Sequence, residues 1–158
     1  MNILFLGDIM GRSGRDALAK ELPRLRNQLE LDFVVANAEN ATAGAGLSID
    51  HAQQILKIGV DCITLGDHAF DQREMISYIQ KEPRIIRPIN YAKTAPGHGF
   101  AVFTSVTGKR LLVAQVLGQV FMKKNFSDPF SSQDRNALLL RKEPFAGGCF
   151  DLRSFYTS

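Results

Sequence analysis

Three short runs of apolar and β-branched residues along this chain end in the same way. Ile3-Leu4-Phe5-Leu6 runs into Gly7-Asp8, Phe33-Val34-Val35-Ala36 into Asn37-Ala38-Glu39-Asn40, and Cys62-Ile63-Thr64-Leu65 into Gly66-Asp67-His68. None of them alternates apolar with charged residues, as a half-exposed strand would. Continuous runs of this length are the pattern of strands buried on both faces of a parallel sheet. Between the runs the period becomes helical, with Leu18, Leu22, Leu25 and Leu29 in the first gap and Ile49, Ala52, Ile55 and Leu56 in the second. The first helix takes Ser13 as its cap and is expected to kink or restart at Pro23. The second takes Ser48 as its N-cap, carries Asp50 in its first turn and stops at Gly59. Residues 37–46 are small and without apolar period, and read as loop.

The later pattern adds a short helix over residues 73–81 with Met75, Ile76 and Ile79 inward, closed by Pro83. Ile85-Ile86 reads as a fourth strand stopped by Pro88, and residues 91–99 as loop. Residues 100–106 and 111–116 flank Thr107-Gly108-Lys109, a hairpin signal. This order of elements predicts an α/β sandwich with a mixed sheet. From about Asn125 the pattern degrades. Residues 136–141 suit a turn or two of helix, and no closing strand or helix is expected before Ser158. The chain therefore divides into an α/β domain over 1–130 and an atypical tail over 131–158.

A length of 158 residues fits one domain with a real core. The net charge of +3 is too small to indicate a nucleic-acid groove and weakly favours an anionic ligand. Cys62 and Cys149 have neither metal-type spacing nor a disulfide framework, and Cys62 reads as a small buried hydrophobe. The first residues lack a basic region and Asp8 interrupts their apolar run, against a signal peptide. No run approaches the roughly 18 apolar residues of a membrane span, so a cytoplasmic location is expected.

Parallel strands present their carboxyl ends at one rim, where open α/β sheets bind ligands. Asp8, Glu39, Asn40, Asp67 and His68 would meet there, and oxygen donors with an imidazole suit divalent metal. In a two-metal phosphoesterase, with ions ~4 Å apart, Asp8 would be a terminal ligand, Glu39 the bridge, and Asn40 and Asp67 oxygen donors. His68 would face the leaving group as proton donor. Taken singly each residue has a plainer reading: Asp8 a helix cap, Asn40 a turn residue, His68 a hydrogen-bonded loop histidine. Three strand ends with the same chemistry outweigh those readings. Asp71 is assigned as a cap for the helix at Arg73, His51 to a helix surface and His98 to a solvated loop. Gly7-x-x-x-Gly11-x-x-Gly14 lacks dinucleotide-fingerprint spacing, and the chain has no Walker motif and no nucleophile elbow.

At these residues the chain resembles the bacterial YmdB-like metallophosphoesterases, a branch of the calcineurin-like phosphoesterase superfamily. The resemblance rests on Leu6-Gly7-Asp8-Ile9-Met10-Gly11-Arg12, Asn37-Ala38-Glu39-Asn40, Gly66-Asp67-His68-Ala69-Phe70-Asp71-Gln72, Arg87-Pro88-Ile89-Asn90-Tyr91 and Gly118-Gln119-Val120-Phe121-Met122, in order over residues 1–130. It implies a four-layer α/β fold and a dinuclear centre, often of iron or manganese, hydrolysing phosphodiesters including cyclic nucleotides. It places Asp8, Glu39, Asn40 and Asp67 on metal-ligand positions and His68 on the catalytic proton donor.

There are two departures. The family pattern has Asn where this chain has Asp67, which adds a negative charge. The family also continues into segments of Phe-His-Ala-Glu and Gly-Thr-His-Thr-His type that supply three further histidine ligands. Here the only histidines are His51, His68 and His98, and residues 131–158 do not resemble the family, as a truncation or altered reading frame near Ser131 would produce. The rival expectations are a non-catalytic module that binds nucleotide or RNA or acts as a regulatory partner, and a metal-free nucleotide-binding domain. Apolar surface left open by the absent half would favour self-association into a homo-oligomer.

Overall fold

The computed structural model describes residues 1–118 and 126–128, together with the strand at residues 147–153. Its first half is a parallel sheet of β1 (Ile3–Leu6), β2 (Phe33–Asn37), β3 (Cys62–Thr64) and β4 (Ile85–Ile86), arranged in chain order. Ile3 pairs with Phe33, Val35 with Cys62 and Ile63 with Ile85, so all four carboxyl ends lie along one rim. The crossovers carry α1 (Gly11–Gln28), α2 (Ile49–Ile58) and α3 (Met75–Tyr78). Crossovers that step in one direction with one hand put their helices on one face. A second sheet of β5 (Phe100–Thr104), β6 (Arg110–Leu117) and β7 (Gly147–Arg153) covers the other, with β5 antiparallel and β7 parallel to β6.

Alternation along each buried strand explains the layering. Val34, Ala36, Ile63 and Ile85 point to the helices and pack with Leu18, Leu22, Ala52, Ile55, Met75 and Ile79. Phe33, Val35, Cys62 and Ile86 point the other way and pack on Leu111 and Val113. Asn90 pins the two sheets together near the rim. Its amide donates to the carbonyls of Leu117 (2.8 Å) and Ser127 (3.1 Å), and its Oδ1 accepts the Leu117 N–H at 3.0 Å. The buried Arg87 guanidinium donates to the carbonyls of Pro88, Ala95 and Pro96, fastening the loop before β5.

Four local expectations change. Met10, not Ser13, precedes α1 and makes no side-chain cap. The Gly11 N–H is satisfied instead by the Asn40 carbonyl at 3.0 Å, a partner far away in sequence and so invisible to a local reading. Helix α1 continues through Pro23, which has no N–H to offer the carbonyl one turn back. That carbonyl belongs to Ala19, an exposed residue of the helix, so water can serve it. Helix α3 is only 4 residues long and Ile76 is 45% exposed, while the Glu74 carboxylate accepts the Ile49 N–H at the start of α2 at 2.7 Å. Finally, β7 forms although its Gly147-Gly148 start has no strand pattern, since the free edge of β6 supplies a main-chain template. Ser48 capping and the Gly59 stop are as expected, with Ser48 Oγ accepting the His51 N–H and Gly59 at φ 116°. The expected helix turn at residues 136–141 lies outside the described residues.

Asp61 ties α1 to the sheet: its Oδ2 accepts from Arg26 Nη1 (3.1 Å) and Nη2 (2.8 Å) and from the Val34 N–H (2.7 Å). Removing the carboxylate strands a buried backbone donor at the start of a central strand. Asp61→Ala is expected to lower stability by about 1–3 kcal/mol, read as a lower urea midpoint at unchanged slope.

Candidate functional site

The parallel ladder continues past the strands and brings the turns together. The Ile9 N–H donates to the Asn37 carbonyl at 2.9 Å, and the Ala38 N–H to the Thr64 carbonyl at 3.1 Å. Asp8 therefore sits beside Asn40, whose Nδ2 donates to Asp8 Oδ1 at 2.9 Å. Glu39, 5% exposed, turns toward the end of β3, where its Oε2 accepts the His68 N–H at 3.2 Å. Its carboxylate lies against Gly66 so closely that a Cβ there would fall 2.1 Å from Oε2 and 2.3 Å from Oε1. Only glycine fits at position 66 while Glu39 keeps this position.

The loop bearing Asn40 is held from both sides. Arg15 of α1 donates to the Ala41 carbonyl, and Thr42 Oγ1 accepts the Ser48 N–H and shares a hydrogen bond with His51 Nδ1, each of the last two at 2.8 Å. His51 is thus half-buried and partnered rather than a surface residue, and burial, reinforced by the charge of Arg15, holds its imidazole below the ordinary range. His98 keeps an exposed side chain, but its segment is bridged to Ile86 and its carbonyl accepts the Arg87 N–H at 2.8 Å.

Two residues outside the expected set shape the site. Asp71 does not cap a helix. Its Oδ2 accepts from His68 Nδ1 at 2.5 Å, which leaves Nε2 on the side of Asp67, 3.8 Å from Asp67 Oδ2. A spacing of three residues across a turn could have indicated this contact. The hydrogen bond to Asp71 is the chief reason the His68 imidazole sits above its ordinary value of 6.5; burial opposes it, and the charges of Asp67, Asp71 and Glu39 add to it. Tyr91 reaches back to the Gly66 and Asp67 carbonyls, with its hydroxyl 3.0 and 3.1 Å from them, and packs edge-on against Phe70 at 5.5 Å. Burial and the nearby carboxylates push its phenol well above the usual range. Its separation of 24 residues from Asp67 left no local signal.

The donors fit a hard divalent cation in kind: three carboxylates, a carboxamide and an imidazole, one carboxylate buried against a glycine that clears space for it. The buried Asn37 amide nitrogen, two residues before Glu39, has no partner among the described residues. The same described residues contain no group of three or more His, Cys, Asp or Glu side chains able to hold a metal ion.

The sequence profile of the family described as YmdB-like protein matches residues 4–148. The chain belongs to the YmdB-like family. It is 34% identical over 134 residues to the 2′,3′-cyclic-nucleotide 2′-phosphodiesterase of Bacillus subtilis, a match covering 85% of this chain and 50% of that protein. It superposes on the crystal structure of a hypothetical protein from Thermus thermophilus with a TM-score of 0.85 and 37% identity, over 96% of this chain and 57% of the other. A novel phosphatase of Mycoplasma pneumoniae gives a TM-score of 0.81 and 28% identity, over 96% and 55%. The chain spans about half the length of the curated relatives it matches. The α/β fold expected for the family is the one observed.

Two outcomes follow from the geometry. Gly66→Ala is expected to displace Glu39 and cost about 1–3 kcal/mol of stability, with a lower melting temperature as the readout. For His68, a folded-state pKa above 6.5 means that protonation stabilises the fold. That contribution is complete below the unfolded value and is lost as pH rises through the folded one. In an NMR titration of the metal-free protein, Asp71→Asn should move the His68 midpoint back toward 6.5; an unmoved midpoint would show that Asp71 does not control the ring.

Proposed function

We propose that this chain supplies one side of a metal-dependent phosphodiesterase site acting on a phosphodiester or cyclic nucleotide, RNA-derived nucleotides included. The observation that carries the reading is the meeting, at one rim, of Asp8 with Asn40 and of Glu39 with Gly66-Asp67-His68. Asp8, Glu39, Asn40 and Asp67 are the residues that would hold divalent ions, iron or manganese. Bound ions would supply Lewis acidity toward a phosphoryl oxygen and toward water. The chain's own groups do the rest. Tyr91 fixes the backbone at Gly66 and Asp67, the His68 N–H orients Glu39, and Asp71 holds His68 so that Nε2–H gives its proton to the leaving oxygen.

The names of the relatives support the reaction class, and the cyclic-nucleotide activity named for the Bacillus subtilis relative supports the substrate class. All three histidines are described: His68 donates its N–H to Glu39, His51 shares a hydrogen bond with Thr42, and the His98 segment is bridged to Ile86. No helix among the described residues is long and apolar enough to cross a membrane, and a cytoplasmic location belongs to this proposal.

The test is metal content after reconstitution with manganese or iron, joined to hydrolysis of bis(p-nitrophenyl) phosphate over a manganese series. Bound metal with turnover abolished by His68→Ala supports the enzyme. Nucleotide binding without turnover would transfer the chain to a non-catalytic module, and the absence of any metal uptake would end the metal reading. Asp67→Asn removes one negative charge from the rim; weaker metal binding with faster turnover is expected, and unchanged values would refute a role for that charge.

A further inference from the structure

The layer between the two sheets is apolar along most of its length and polar at one end. Phe33 and Val35 of β2, Cys62 of β3 and Ile86 of β4 meet Leu111 and Val113 of β6 there. Strand β6 runs in the same sense as the parallel strands. Lys109, just before it, bonds Asp32 just before β2, and Leu117 at its end bonds Asn90 beyond β4. Side chains two apart on a strand share a face. The next inward positions toward the rim are therefore Asn37, Thr64 and Gln115, and the register sets Asn37 directly beside Thr64. All three are at 0% exposure. Among the described residues the Gln115 amide has no partner for either Oε1 or Nε2, and Asn37 Nδ2 has none.

An amide buried without partners destabilises a fold, because it forfeits the hydrogen bonds it makes in water. Protein interiors satisfy such groups through other protein atoms or ordered water, and a buried water makes ~3 hydrogen bonds. A direct bond from Asn37 Nδ2 to Gln115 Oε1 would still leave Gln115 Nε2 without an acceptor, since Asn37 Oδ1 is turned to the Glu39 N–H at 3.4 Å. Water both accepts and donates, so it can serve the two amide nitrogens and Oε1 together. Asn37 is the residue through which this layer reaches the rim. Its carbonyl accepts the Ile9 N–H beside Asp8, and its Oδ1 accepts the Glu39 N–H. A flipped Asn37 amide would set donor against donor at Glu39. We propose that Asn37, Thr64 and Gln115 bound an internal water site beneath the rim, and that this water fixes the Asn37 amide and makes Gln115 a positioning residue for Glu39. The water site stands on burial and hydrogen bonding alone; its importance for Glu39 as a ligand rests on the metal reading above.

The full chain, free of metal, tests the site directly through NMR cross-relaxation between water and the side-chain NH2 groups of Asn37 and Gln115. A long-lived water at both amides is expected. A signal missing from either, or a crystal structure showing the two amides bonded directly with no water between them, overturns the proposal. Two variants test the positioning role. Gln115→Met conserves volume and removes the amide, whereas Gln115→Asn keeps an amide and leaves more room for water. Exchange of the Glu39 N–H should be about tenfold faster in the Met variant and close to the parent in the Asn variant. A packing role alone predicts the reverse order, because only the shorter side chain opens a cavity. That order, or rates unchanged in both variants, refutes the positioning role. Should the Met variant fail to fold, the water measurement on the parent and faster Glu39 exchange in the Asn variant each remain able to refute it. No readout involves bound metal or turnover, so the two proposals fail separately.

Discussion

The tightest constraint in this molecule is the placement of a buried carboxylate against a residue that has no side chain. Glu39 leaves β2 and crosses to the end of β3, where Gly66 yields the space that any Cβ would take. A carboxylate so buried requires donors or cations around it. The neighbouring chain is arranged accordingly, with the His68 N–H directed at Oε2 and Tyr91 anchoring the Gly66 and Asp67 carbonyls. The β2–β3 register sets this contact, since Asn37 opposite Thr64 brings the two turns to the same height. A slip of β2 by one residue would turn Val35 toward the helices and carry Glu39 away from Gly66.

The same register builds the core and the rim together. Side chains of β2 alternate between the helix layer and the second sheet, and the strands end where apolar packing gives way to Asp8, Asn40, Asp67 and His68. The polar pins lie at the same end. Asn90 joins the first sheet to β6, and Arg87 secures the following loop through carbonyls alone. The resemblance motif around Arg87-Pro88-Ile89-Asn90-Tyr91 is thereby explained as structure: it holds the frame and sends Tyr91 to the rim.

The two sides of the site differ in their surroundings. Asp8, the donor nearest the sheet edge, follows the strand with exposed apolar residues, Ile3 and Phe5. On the side carrying Glu39, Asp67 and His68, the Tyr91 hydroxyl holds the Gly66 and Asp67 carbonyls, and its ring packs on Phe70 and, at 4.9 Å, on Phe126.

By itself the sequence determined the parallel strands, both long helices, the hairpin and the gathering of Asp8 with Asn40 and of Glu39 with Gly66-Asp67-His68. Each depends on a local period or on which residues end a strand, and such signals survive without knowledge of the partner. Tertiary structure alone decided the roles of Asp71 and Tyr91, the capping of α1 by the Asn40 carbonyl, the shortness of α3 and the pairing of β7. In those cases the deciding hydrogen bond joins groups with no periodic relation along the chain, or competes with a weak local preference that packing overrides. Solvent exposure along β1 also lay beyond any reading of composition, because Ile3-Leu4-Phe5-Leu6 has the same apolar pattern whether a neighbouring strand covers it or not.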